Sequence, residues 1–181
     1  MDGDRAQDED FRLMALAAEG SQEAFAALVE RHQRPLLNFF MRMGASTHAE
    51  DLAQETFVRL WKYREKYKPE ARFTTFLYTL ARHAWLDSAR SRRRFALFTA
   101  RYQEEMPAFT DGGIGEMRKG LDIRAALDHL PPRLREVLVL AVLQQLPYGE
   151  IAEILEIPVG TVKSRVFTAL QMLKESFHDE V

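Results

Sequence analysis

The chain has 181 residues, with 25 Lys and Arg against 27 Asp and Glu for a formal net charge of -2, and 46% of it is hydrophobic and 29% charged. That composition fits one ordinary folded domain or two small ones and excludes disorder throughout. The lack of any cysteine excludes a disulfide scaffold, a thiolate zinc site, a redox pair and a cysteine nucleophile.

Apolar residues recur at helical spacing almost everywhere, and no segment shows sustained period-two alternation, so the fold is read as all-α: two small helical domains joined by a flexible linker. A first helix is expected over 10–19, stopped by Gly20, and Ser21 caps a second helix carrying Phe25, Leu28, Val29, His32, Leu36, Phe39, Phe40 and Met43. Pro35 predicts a kink in it. Thr47 and Glu50 then fit a capping box ahead of a third helix with Ala53, Phe57, Leu60 and Trp61 inward. Pro69 breaks the chain, and Thr74 or Thr75 can cap a fourth helix running to about residue 91, with Phe76, Leu77, Leu80, Ala81 and Ala84 inward. Periodicity then fades, and Pro107, Gly112, Gly113 and Gly115 mark a connection. The expected division is an N-terminal domain over 10–92, a linker over 93–117 and a C-terminal domain over 118–178. In the last of these, Ile123, Ala126, Leu127 and Leu130 form one short helix, and Leu134, Val137, Leu138, Ala141 and Val142 form another. Helices over 148–155 and 159–175 follow, separated by Glu156, Ile157 and Pro158.

Charge is unevenly spread. Asp2, Asp4, Asp8, Glu9 and Asp10 crowd the start, whereas Arg82, Arg90, Arg92, Arg93, Arg94 and Arg101 face one acid, Asp87, in a stretch of the kind that attracts phosphate or simply forms a solvated face. No apolar run approaches the ~18 residues that span a bilayer, and an acidic start is unlike a signal peptide, so a cytoplasmic protein without direct membrane insertion is expected. The short helix, tight turn and longer helix at the C-terminal end fit a helix-turn-helix, whose second helix enters the major groove. On that helix Val162, Val166, Ala169, Leu170 and Leu173 fall at core spacing, and Gly160, Lys163, Ser164, Phe167 and Thr168 fall on the opposite face. A cation, hydroxyls and a ring there suit DNA, although Phe167 could instead pack on a neighbouring domain or subunit.

The blocks AEDLAQETFVRLW at 49–61, FTTFLYTLAR at 73–82, LPPRLREVL at 130–138, YGEIAEIL at 148–155 and PVGTVKSR at 158–165 resemble bacterial sigma factors. The resemblance is to the short, two-domain extracytoplasmic-function (ECF) class of the sigma-70 superfamily. Together the matched blocks run in the family's order from about residue 19 to 173. The resemblance implies a non-catalytic subunit that joins core RNA polymerase, reads promoter DNA at the minus-thirty-five element with its C-terminal domain and melts the minus-ten element with its N-terminal one. It implies that Asp51, Gln54 and Glu55 meet the polymerase, although Glu55 with Arg59 also fits an ordinary surface pair. It associates Tyr67, Tyr78, Arg82, His83, Arg90, Arg92 and Arg93 with minus-ten DNA, where rings and cations replace lost base stacking. Trp85 is read as core. It associates Thr161, Lys163, Ser164, Arg165, Phe167 and Thr168 with minus-thirty-five DNA. An anti-sigma factor, often membrane-tethered, is a further implied partner.

Four positions depart from the family pattern: His83 replaces a common Asn, Thr168 and Leu170 replace two arginines, and Glu156 replaces a frequent Gly, where a left-handed backbone would cost about 1 kcal/mol or more. No catalytic motif, cofactor site or small-molecule substrate is expected, and His32, His48, His83, His129 and His178 are scattered without metal-ligand spacing. A free-standing DNA-binding regulator and a helical adaptor are the rival readings; both lack polymerase dependence.

Overall fold

The computed structural model describes residues 2–67, 72–102 and 123–178, and every regular element among them is helical. Helix α1 (Asp2–Ala18) starts earlier than the periodicity predicts. Asp10 is buried against α2, reaching Arg31 Nε at 3.0 Å and His32 Nε2 at 2.9 Å. Gly20, at φ +101°, turns the chain. Helix α2 (Gln22–Arg42) then opens as expected, with Ser21 Oγ accepting the Ala24 N–H at 3.2 Å, and it continues through Pro35.

Helix α3 (Ala49–Tyr63) has His48 at its N-cap, and the Thr47–Glu50 capping box does not form: the Thr47 hydroxyl is 3.1 Å from His48 Nδ1 instead. A 3-10 turn (Arg64–Lys66) follows. Helix α4 (Phe73–Tyr102) runs well past the expected end, so residues 93–102 are helix rather than linker. Arg92, Arg93, Arg94, Ala96 and Leu97 are strong helix formers, and no Pro or Gly intervenes before Pro107. The rest of the expected linker, from 103 on, lies outside the described residues.

In the C-terminal half, α5 (Ile123–Asp128) precedes α6 (Pro132–Leu138), which starts with Pro132 in the first turn, where a missing N–H costs nothing. A π turn (Val139–Leu143) extends it, and α7 (Tyr148–Leu155) and α8 (Val159–His178) complete the helix-turn-helix. One residue of the tight turn, Glu156, does adopt the left-handed conformation, at φ 55° and ψ 45°.

The two halves are not merely tethered. One buried apolar cluster takes in Leu28, Phe39 and Phe40 of α2, Leu60 of α3 and Leu77 of α4, together with Leu140 of the π turn and Ile151 and Ile154 of α7. A smaller cluster of Leu127, Leu130, Leu138 and Ala169 joins α5 and α6 to α8. Because α8 is thus held on α6, whatever fixes α6 and α7 against the N-terminal half also fixes the outward face of α8.

The strain at Glu156 makes a prediction. Glu156→Gly removes the steric cost of a left-handed Cβ, offset in part by the greater freedom of glycine in the unfolded chain. Urea denaturation should therefore show a gain of about 0.5 to 1 kcal/mol.

Candidate nucleic-acid interface

The residues that the sequence grouped for minus-ten DNA separate onto two faces of α4. On one side, α3 and α4 form a groove of about 560 Å³ lined by Tyr63, Lys66, Phe76, Thr79, His83 and Arg90. The ammonium of Lys66 lies over the Tyr63 ring at 4.9 Å, and Tyr67 packs near Phe76 at 5.4 Å between centroids. Burial, and secondarily Asp10, raises the Tyr67 phenol above its ordinary pKa. This groove therefore has rings and cations side by side, the pairing that holds an unstacked base.

Tyr78 and Arg82 lie elsewhere. Tyr78 is 4% exposed, packs edge-on against Phe39 at 5.3 Å, and donates its hydroxyl to Gln144 Oε1 from the C-terminal half. Burial raises its pKa strongly. Arg82 Nε donates to Glu136 Oε1 at 2.8 Å. Both residues are covered by the C-terminal half, so a shared base pocket for Tyr67 and Tyr78 does not exist in this arrangement. The physical reason is the helical step of about 100° per residue, which sends Tyr78 and Thr79 to different faces. Trp85 packs against the core as read.

Towards its C-terminal end, α4 is exposed and basic. Arg90 Nη1 lies 3.4 Å from Asp87, and Arg93 and Arg94 line a shallow surface hollow with Asp87 and Leu97. Arg92 Nη1 is 3.2 Å from His48 Nδ1. Burial, followed by the charge of Arg92, lowers the His48 pKa below its ordinary 6.5. One bridge that the sequence reading missed organises this side: Arg59 of α3 donates to Glu55 at 2.8 Å and to Asp87 of α4 at 2.9 Å. The pair at i, i+4 was legible; its extension across to α4 needed the fold.

The polymerase candidates Asp51, Gln54 and Glu55 are all exposed on α3, at positions i, i+3 and i+4 of one helix face. Gln54 lines a second groove, about 500 Å³, with Val29, Gln33 and Leu37 of α2 and Ala53 and Phe57 of α3. Glu55 is turned to Arg59, and Asp51 lies close enough to act on His48.

On α8, Val162, Val166 and Ala169 are buried and Phe167 is 64% exposed, with Lys163, Ser164 and Thr168 exposed beside it. Leu170, expected inward, is 48% exposed, because the core stripe passes from Val166 through Ala169 to the half-buried Leu173. The hydroxyls of Ser164 and Thr168 donate to their own helix, at 3.1 Å to the Thr161 carbonyl and 2.9 Å to the Ser164 carbonyl, leaving their oxygens as acceptors. Thr161 and Arg165 are half-buried, and the Arg165 charge acts on Glu136 rather than on solvent alone.

Comparison with known proteins agrees with this architecture. Residues 28–95 match the family model of sigma-70 region 2, and residues 120–173 match that of sigma-70 region 4. The chain is 30% identical to the ECF RNA polymerase sigma factor SigW of Bacillus subtilis over 172 residues, 88% of this chain and 92% of the relative. It belongs to the ECF class of sigma-70 sigma factors. Such a chain is a transcription initiation factor, not an enzyme, and the catalysis is the polymerase's. Two solved structures are alike across both halves. CnrH, in complex with the cytosolic domain of CnrY, has a TM-score of 0.73 and 27% identity, covering 96% of this chain and 99% of its own. The sigma factor RpoE of Bartonella quintana, in complex with the anti-sigma factor NepR, has a TM-score of 0.69 and 25% identity, covering 83% and 94%.

The His48 contact is testable by its titration. A histidine whose pKa is lowered stays neutral in the folded chain, so its contribution to stability is held at neutral pH and lost as the pH falls below 6.5. NMR titration should give His48 a pKa below 6.5 in the parent. In Arg92→Ala that value should move up toward the ordinary one, since a neighbouring cation is gone.

Proposed function

We propose that this sigma factor meets core RNA polymerase through the groove between α2 and α3, offers the α3/α4 groove to the non-template strand of the minus-ten element, and reads the minus-thirty-five element with the outward face of α8. The observation that carries the reading is α8 itself: a helix anchored by Val162, Val166 and Ala169 that turns Lys163, Ser164 and a largely exposed Phe167 to solvent. A helix with no partner on that face would gain nothing from exposing a phenyl ring, whereas the ring can touch a thymine methyl and the cation can meet phosphate or guanine. Support for the minus-ten role comes from the groove lined by Lys66, Phe76, His83 and Arg90, with Arg93 and Arg94 continuing the cationic path. Support for the polymerase role comes from Gln54 in an apolar-floored groove beside the exposed Asp51.

An anti-sigma factor is the third partner in this reading. RpoE was solved with one, and Leu97 of this chain is exposed on α4. Among the described residues no helix is long and apolar enough to cross a membrane, and the proposed place of work is the cytoplasm, with core polymerase.

Promoter selection by the reconstituted holoenzyme tests the base-reading role. Binding to a minus-thirty-five library at fixed salt should lose about 1 to 3 kcal/mol of preference at one or two positions in Phe167→Ala. A uniformly weaker but unchanged preference would instead assign Phe167 to protein or backbone packing. For the polymerase face, Asp51→Lys combined with Gln54→Ala should weaken association with core polymerase about tenfold. Helix content should stay unchanged, and undiminished association would remove both residues from the interface.

A further inference from the structure

Asp87 is the one acid that the sequence sets among the arginines from Arg82 to Arg101. In the fold it stands between the two cationic surfaces of α4, lining the α3/α4 groove with Arg59, His83 and Arg90 and the shallow hollow with Arg93 and Arg94. Nucleic acid that follows both surfaces must cross it. A half-exposed carboxylate at that point repels phosphate and weakens any purely electrostatic binding.

Neutralising Arg59 does not account for it. Arg59 Nε already donates to Glu55 Oε1 at 2.8 Å, and its Nη1 donates to Asp87 Oδ2 at 2.9 Å, so two acids share one cation. The second bond supplies geometry: a planar guanidinium, itself held by Glu55, fixes one oxygen of Asp87 and the plane of its carboxylate. The other oxygen, Oδ1, is met by Arg90 Nη1 at 3.4 Å, near the outer limit of a hydrogen bond, from a side chain that is 71% exposed. One oxygen is anchored and the other is presented.

Its place on the helix selects what it can meet. Asp87 follows Phe76 by 11 positions on α4, about 16 Å along the axis at about 1.5 Å per residue. A base unstacked onto Phe76 and Tyr67 is out of its reach, so a base at Asp87 is read while still paired. On the major-groove edge only cytosine offers a carboxylate a donor without an acceptor beside it: guanine shows N7 and O6, thymine O4, and adenine sets N7 next to its amino group.

We propose that Asp87 is a specificity-determining residue that accepts the N4 amino group of a cytosine still paired at the edge of the opened minus-ten segment, and that Arg59 is the positioning residue that aims it. The inference rests on the minus-ten role proposed above for the α3/α4 groove.

The test uses the full chain with core polymerase and promoter duplexes randomised across the minus-ten element and its upstream edge, scored for opening at fixed salt. The parent should select cytosine at one position by about fivefold or more. Asp87→Ala should lose that preference and keep the others, and Asp87→Asn should move it toward adenine, whose N6 and N7 pair with an amide. Replacing that cytosine by 2-pyrimidinone, which lacks only the amino group, should weaken the parent about fivefold more than it weakens Asp87→Ala. Arg59→Met should blunt the preference at that position beyond any uniform weakening from the lost cation. Arg59→Lys should not restore it, since an ammonium cannot hold Glu55 and Asp87 in one plane. Circular dichroism checks folding, and if Asp87→Ala loses helix content, the nearly isosteric Asp87→Asn carries the same comparison. A folded variant at Asp87 that keeps the parent's cytosine preference, binding all sequences more tightly and with a steeper salt dependence, makes Asp87 a charge partner only and overturns the proposal. A parent without cytosine preference overturns it too. A parent that selects no minus-ten sequence at all removes the groove's role as well, which separates the two failures.

Discussion

A buried carboxylate must be matched or it expels itself from the fold, since removing an ion from water costs several kcal/mol unless charges and hydrogen bonds replace its hydration. Among the described residues, Glu136 and Glu150 are the buried acids of the C-terminal half, and the groups that match them stand on or just before α4. Burial raises the Glu136 carboxyl above its ordinary pKa, with Arg82 and Arg165 pulling the other way. The arrangement of the two halves follows from this requirement. Glu150 fixes the start of α7 over the start of α4, Glu136 fixes α6 further along, and α8, packed on α6 and α7, takes its orientation from both.

Helix α4 consequently serves two surfaces. Its Thr75, Tyr78 and Arg82 side carries the C-terminal half, and its Thr79, His83 and Arg90 side lines the groove with α3. Two arginines of one basic stretch thus have different duties. Arg82 neutralises a carboxylate, whereas Arg90, paired with the half-exposed Asp87, stays on an exposed surface. A count of cations along the sequence cannot tell these apart, because net positive charge is the same whether an arginine faces a carboxylate from a distant segment or a phosphate from DNA.

Local chemistry was legible and long-range matching was not. The Ser21 cap and the strained turn residue Glu156 both depend on neighbours within a few positions, and each stands where the sequence put it. Periodicity also identified the inward residues of α4, with Leu77, Leu80, Ala81 and Ala84 buried. It failed where tertiary partners decide. Thr74 and Thr75 were read as caps, yet their hydroxyls go to Glu150, some 75 residues away. Leu170 was read as core, yet a stripe through Ala169 and Leu173 is sufficient to seat α8, leaving Leu170 beside Phe167 in the open. A helical wheel gives the direction of a side chain relative to its own axis, and only the packing of axes says what waits there.

The polar character of the joint bears on how it can come apart. Surface exposed by parting an apolar interface costs roughly 25 cal/mol for each Å² left in water, and the shared cluster around Phe39, Leu77 and Ile151 ensures that some of this cost is present. The carboxylates, the threonines, Arg72 and Arg82 behave differently, since each recovers its hydration when the halves separate. A buried ion pair therefore adds less to the stability of the closed state than its short distances suggest, while a single lost partner leaves a charge stranded and penalises any shifted register. The combination favours one closed geometry over its near alternatives without making separation prohibitive. An entirely apolar joint of the same area would be harder to part and less particular about how it packs.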